Sequence, residues 1–298
     1  MQFTNASSST TQTLLALCID PPSILALDCD GNNARVLLSD LGGTPDGIQI
    51  DIAYGLVYWT NMGANFHEND GTVEAARFDG SERRLLVGKG TIRTPKQLHL
   101  DRKARQLYWC DREGAAIWRS NTQGGALTQL IDRSVEAGGA DDVLNQCVGI
   151  TVDHKRGAFL WTQKGPAKGG MGRIFRAPLQ MTPGETPGTR SDVELLLDHL
   201  PEPIDLEFDA STDTLYWTDR GAAPNGNSLN SAKLTADGLV NYKVICTGFS
   251  EAIGLALDLP HKRAFVSDLN GNIVAVNLGT GEKRTVFKHG RITGIALY

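Results

Sequence analysis

Apolar and polar positions alternate with a period of two over short stretches along the whole chain, and each stretch stops at Gly, Asp, Asn or Pro. Such alternation marks half-buried strands, and the punctuation marks the hairpins between them. One pattern recurs: an alternating segment ends in Asp, and an aromatic pair follows. Asp51 precedes Tyr58-Trp59-Thr60-Asn61, Asp101 precedes Tyr108-Trp109-Cys110-Asp111, and Asp153 precedes Phe159-Leu160-Trp161-Thr162. Asp209 precedes Tyr216-Trp217-Thr218-Asp219, and Asp258 precedes Phe265-Val266-Ser267-Asp268. The step from Asp to the Trp position is eight residues each time (51 to 59, 101 to 109, 153 to 161, 209 to 217, 258 to 266). A repeat of roughly 50 residues made of short strands predicts a β-propeller.

Each copy predicts four strands. The first ends at the Asp and the second carries the aromatic pair. The third ends near a turn such as Phe78-Asp79-Gly80 or Gly279-Thr280-Gly281, and the fourth is short and apolar, as at 84–87, 127–131, 193–197, 244–245 and 285–287. The N-terminal stretches 14–19, 24–28 and 35–38 supply three strands of a sixth copy, whose first strand is found only at 291–298. The expected fold is therefore all-β: a six-bladed β-propeller of four-stranded antiparallel blades. The C-terminal strand pairs with the N-terminal blade and closes the ring. A flexible tail over 1–13 and a single propeller over 14–298 are expected.

Composition narrows the partners. The net charge is −5, and no Lys/Arg cluster offers a nucleic-acid footprint. No apolar run reaches the 18 residues a membrane span needs. The five cysteines are odd in number, and none shows C-x-x-C spacing. Most lie in apolar strand sequence, where Cys acts as a small hydrophobe. Residues 1–13 have neither a basic start nor an apolar segment, so no secretory signal is expected. A reducing, cytoplasmic setting is the simpler expectation.

Tyr-Trp-Thr-Asn, Tyr-Trp-Cys-Asp and Tyr-Trp-Thr-Asp, each after an Asp-ended strand, resemble the YWTD repeats of the low-density-lipoprotein-receptor propeller family. The resemblance covers the chain after residue 13 and implies six blades around a central channel. The EGF-like modules and disulfides that flank receptor propellers are not seen in this sequence. The architecture also resembles stand-alone propeller enzymes: lactonases, strictosidine-synthase-like enzymes and propeller cyclases of fungal specialised metabolism. That likeness implies a small-molecule enzyme that uses the channel, of the cyclase or hetero-Diels–Alder type. It would act by orientation and hydrogen-bond polarisation, with no cofactor. A protein-interaction propeller and a metal-dependent lactonase-like hydrolase are the alternatives.

Candidate residues follow from the repeat. Loops leading into the first strands, together with loops after the second strands, build one face of the ring. The leading positions include Gln146, Glu202, Glu251 and Arg291, and Lys96 lies next inward. Further along the first strands come Gln49, His99, Thr151 and Glu207, with Ala256 and Ala296 at the matching places. His99, His67 and Arg291 are the expected hydrogen-bond donors or general acids. Glu202 and Glu251 would orient them, balanced by Arg291. Gln49, Lys96, Gln146 and Glu207 would bind substrate.

Long loops at 61–71, 163–172 and 219–228 suggest a lid on that face. Within it Met62, Phe66 and Met171 would form apolar walls. No G-x-S-x-G elbow or dinucleotide fingerprint occurs, so neither a covalent nucleophile nor a nucleotide is expected. No metal site is expected either, because hard cations need six or more oxygens.

Overall fold

In a computed structural model, residues 12–298 are described. Among them, strands form six four-stranded sheets. The N-terminal strands are β1 (Thr13–Ile19), β2 (Pro22–Asp28) and β3 (Arg35–Leu38). The first full blade is β4 (Pro45–Asp51), β5 (Leu56–Asn61), β6 (Thr72–Arg77) and β7 (Arg84–Val87). The second is β8 (Pro95–Asp101), β9 (Gln106–Asp111), β10 (Ala116–Asn121) and β11 (Thr128–Asp132). The third is β12 (Cys147–Asp153), β13 (Ala158–Gln163), β14 (Gly172–Pro178) and β15 (Glu194–Leu200). The fourth is β16 (Pro203–Asp209), β17 (Thr214–Asp219), β18 (Ser228–Thr235) and β19 (Gly238–Thr247). The fifth is β20 (Ala252–Asp258), β21 (Arg263–Asp268), β22 (Asn272–Asn277) and β23 (Lys283–Lys288). The last strand, β24 (Ile292–Leu297), pairs antiparallel with β1 in the order β24-β1-β2-β3. The expected closure is thus present, and it leaves no sheet open across the join. Of the tail expected over 1–13, residues 1–11 lie outside the described residues, and Thr13 already belongs to β1.

The repeated residues hold the ring together. Trp59, Trp109, Trp161 and Trp217 are fully buried between blades. The side chain that follows the Trp position is a latch, a hydroxyl in most copies and the Cys110 thiol in one. Thr60 Oγ1 accepts from Gly47 N–H (2.8 Å) and donates to Lys96 O (2.6 Å) on the next blade. Thr162 links Gly149 N–H (2.8 Å) to Ile204 O (2.6 Å) in the same way. Thr218 links Asp205 N–H (3.1 Å) to Ile253 O (2.6 Å). The register of each first strand shifts where this side chain inserts, for example between Pro45 and Ile48.

Glycine is needed there because the neighbouring blade presses close. A Cβ on Gly149 would lie 2.1 Å from Ile204 O, and one on Gly294 would lie 2.3 Å from Asp46 O. The closing Asp or Asn of the motif ties down the loop that leads into the first strand. Asp111 accepts from Thr94 N–H at 2.7 Å and from Arg93 N–H at 3.0 Å.

Candidate functional site

The six innermost strands, β4, β8, β12, β16, β20 and β24, run side by side around the axis and divide the channel into two ends. The chain enters these strands at the upper end and leaves them at the lower.

The upper end is closed. Val148, Ile204 and Ile253, buried side chains from three blades, meet there with Leu269 packed on them. Beside them Lys96 Nζ pairs with Asp46 inside the protein, and Gln97 Nε2 donates to the other Asp46 oxygen at 2.9 Å. Burial pushes the Lys96 ammonium below its usual range, and Asp46 opposes that shift. Over this layer lies a second set of pairs. Glu202 accepts from Arg220 Nε (2.7 Å), Lys164 Nζ (3.3 Å) and Lys168 N–H (3.0 Å). Glu251 sits 4.0 Å from both Lys168 Nζ and Arg220 Nη1.

The lid residues are occupied in the same way. Met62 is buried, and its N–H donates to Thr44 O (2.8 Å). Phe66 is half-buried under the Arg112 guanidinium (5.5 Å), and Arg93 donates to its carbonyl (3.1 Å). Gln146 donates to Ala140 O (3.4 Å). His67 and Met171 are exposed on their loops. Arg291 points away from the axis, exposed, to Asp20. Glu202 and Glu251 are therefore balanced by Lys164, Arg220 and Lys168, and not by Arg291. The long loops fold over the closed end, where their polar groups satisfy one another.

The lower end is open. A cavity of about 160 Å³ lies at the ends of β4, β8, β16, β20 and β24, lined by Gln49, His99, Arg102, Glu207, Ala256 and Ala296 among others. Two alanines on adjacent blades leave the space that Gln49, His99 and Glu207 surround. Among the described residues neither His99 nor Glu207 enters a salt bridge. Burial drives their ionisation in opposite senses. The Glu207 carboxyl is pushed up to about 7 by burial, with Arg102 and the Gln49 amide pulling the other way. The His99 imidazole is pushed down to about 4 by burial, against the attraction of Asp101. Near neutral pH the cavity thus faces a ligand with a neutral imidazole and a carboxyl that can give or take a proton.

The structure brings Gln49, His99 and Glu207 together and places Lys96, Gln146, Glu202 and Glu251 at the other end. Arg102 was missing from the sequence-derived set because it sits in the turn after β8, where a charge reads as solvated. Its signal was slight: the corresponding turn positions are Ile52, His154, Ala210 and Leu259. Among the described residues, no group of three or more His, Cys, Asp or Glu side chains is arranged to hold a metal ion.

No protein-family model matches the chain. It is 42% identical over 286 residues to a Pyricularia oryzae protein named low-density lipoprotein receptor-related protein 1, covering 92% of this chain and 91% of that one. The chain belongs to the low-density-lipoprotein-receptor type of YWTD propeller. It is also 39% identical over 287 residues to the 3-hydroxyacyl-CoA dehydrogenase-like protein LAM1 of Cochliobolus heterostrophus; the match takes in 92% of this chain but spans only 60% of that protein. Among solved structures, a chain of a nidogen/laminin complex superposes with a TM-score of 0.73 at 21% identity, over 96% of this chain and 98% of that one. A gluconolactonase from Xanthomonas campestris superposes with a TM-score of 0.64 at 18% identity, over 87% and 81%. At such identities these two likenesses concern the fold alone. Among the described residues no helix is long and apolar enough to cross a membrane.

Proposed function

We propose that this YWTD propeller is a small-molecule enzyme whose reaction chamber is the lower channel cavity, and that it catalyses a non-redox cyclisation or related proton-transfer reaction. The observation that carries the reading is the blind polar cavity in which Glu207 and His99 stand without salt-bridge partners. Acid–base catalysis favours a group that titrates near the working pH, and a positioned one contributes about 10²–10⁴-fold. Glu207 suits that role, with a carboxyl titrating at about 7. Neutral His99 would donate to an oxygen on which charge develops, as an oxyanion donor does. Gln49, opposite Glu207, would fix the reacting group. A cycloaddition would draw mainly on orientation, which can contribute about 7–11 kcal/mol.

The metal-dependent lactonase reading would need Glu, Asn and Asp side chains gathered around one point; among the described residues no group of three or more His, Cys, Asp or Glu side chains supports it. The interaction-module reading draws support from Ile52 and Tyr54, both exposed on the same lower face. All five cysteines are unpaired, which favours a reducing cytoplasmic setting.

The test is to incubate the purified protein with a small-molecule extract of its source organism and to follow masses by chromatography. A feature converted without added redox cofactor to an isomer or a dehydrated product, and left unconverted by Glu207→Gln and His99→Gln, supports the enzyme. Conversion unaffected by both substitutions would rule out the lower cavity as the chamber.

A further inference from the structure

The charge around the lower cavity is uneven, and the unevenness points to a class of ligand. Arg102 is the one lining side chain with a permanent charge. Its Nη2 donates to Ile50 O at 2.7 Å, which sets the guanidinium beside the cavity, and among the described residues its other N–H groups have no hydrogen-bond partner. Among the described residues it forms no salt bridge. Three other arginines that follow the first strands on this face are each matched to a carboxylate: Arg105 to Asp51, Arg156 to Asp153 and Arg263 to Asp258.

We infer that the lower cavity binds a small organic carboxylate, its anionic group held by Arg102 at the mouth and a ring-sized body lying against Gln49, His99 and Glu207. This rests on the cavity being the working site. The size follows from comparison: an apolar cavity of about 150 Å³ takes benzene, and this one, at about 160 Å³, opens to solvent at the arginine.

Two of the acids that would repel an anion are shifted toward their neutral forms, and a third is partly engaged. Glu207 is raised to about 7. Asp205, behind it on β16, is raised well above the carboxylate range by burial and by Glu207, despite accepting from the Leu255 and Leu206 N–H groups. Asp101, next to Arg102, accepts at Oδ1 from Ala104 N–H (2.7 Å), with His154 Nε2 at 3.1 Å, and its buried Oδ2 has no hydrogen-bond partner among the described residues. His99 is neutral above about 4 and offers one donor and one acceptor. From Gln49 and the two alanines no charge faces the site. Anion binding should therefore tighten as pH falls through about 7 and Glu207 gains its proton.

Benzoate and the neutral, near-isosteric benzamide form the probe pair, titrated calorimetrically into the full chain on either side of neutrality. Below neutrality benzoate should bind about tenfold tighter or better, and its lead should shrink above neutrality. Arg102→Gln, a change in an exposed turn, should erase the preference and leave benzamide binding in place. Glu207→Gln should make benzoate binding nearly independent of pH. If benzamide binds as well as benzoate, or if Arg102→Gln keeps the preference, the carboxylate class is wrong and the cavity remains a site for neutral ligands. If neither probe binds even at millimolar concentration, the cavity reading fails with it.

Discussion

At the upper end of the channel Val148, Ile204 and Ile253 pack into a plug, and Lys96, Lys164, Lys168 and Arg220 are each matched to Asp46, Glu202 or Glu251. At the lower end, three residues further along the same strands (Ile253 to Ala256, Ile204 to Glu207), Ala256 and Ala296 leave a cavity in which, among the described residues, Glu207, His99 and Arg102 have no such partners. Both ends bury charged groups, so burial alone does not mark a site. The difference lies in compensation. A buried charge with its counter-ion stabilises one arrangement, and a partly buried titratable group without one is left free to meet a ligand.

The sharpest way to break this comparison is at the upper end. Asp46→Ala leaves Lys96 buried beside Gln97 alone and should lower stability by about 3–5 kcal/mol. The double change Asp46→Leu with Lys96→Met removes both charges and should recover most of that loss. Urea midpoints at unchanged slope measure both. A single change that costs less than about 1 kcal/mol would mean the pair is not the buried element described here.

The lower end should respond to pH instead. Glu207 binds its proton more tightly folded than unfolded, its value rising from 4.5 to about 7. Stability therefore falls as pH rises through that window and stays lower above it. His99 binds its proton less tightly when folded, with a value lowered from 6.5 to about 4, so its contribution rises with pH over that interval. Glu207→Gln should be more stable than the parent above neutrality and unchanged near pH 4. His99→Gln should gain only on the acid side. Melting curves across pH separate the two limbs, and identical profiles for all three proteins would mean that neither group is desolvated.

The smallest effect is expected at the rim. Arg291 and Asp20 are more than half exposed. Arg291→Ala should leave the melting midpoint nearly unchanged and benzoate binding unaltered. A loss of binding would return Arg291 to the site.

The ring was legible in the sequence because each repeated residue makes a repeated contact. Trp59 and its equivalents fill the blades, Thr60 and its equivalents latch one blade to the next, and Asp111 with its counterparts fixes the loops. Gln49, His99 and Glu207 were legible as channel positions because period-two alternation, aligned across copies, puts them at one level. Which end of the channel is open was not legible. Loop length favoured the upper face, but length does not say whether a loop's polar groups turn to one another, as Asp70 does in accepting from Ala64 and Asn65 N–H. Arg102 was hidden because only the folded turn shows that, among the described residues, no carboxylate forms an ion pair with it.

The polarity of the channel can be read most directly by thiol accessibility, since Cys18, Cys29, Cys110 and Cys147 are buried and Cys246 is half-buried. Ala296→Cys would place a thiol in the lower cavity and Val148→Cys one in the upper plug, each to be treated with a sulfonate-bearing and a trimethylammonium-bearing methanethiosulfonate. The expected result is fast modification at 296, faster with the anionic reagent, and slow modification at 148 with either. Faster modification at 148 than at 296 would contradict an open lower end and a sealed upper one.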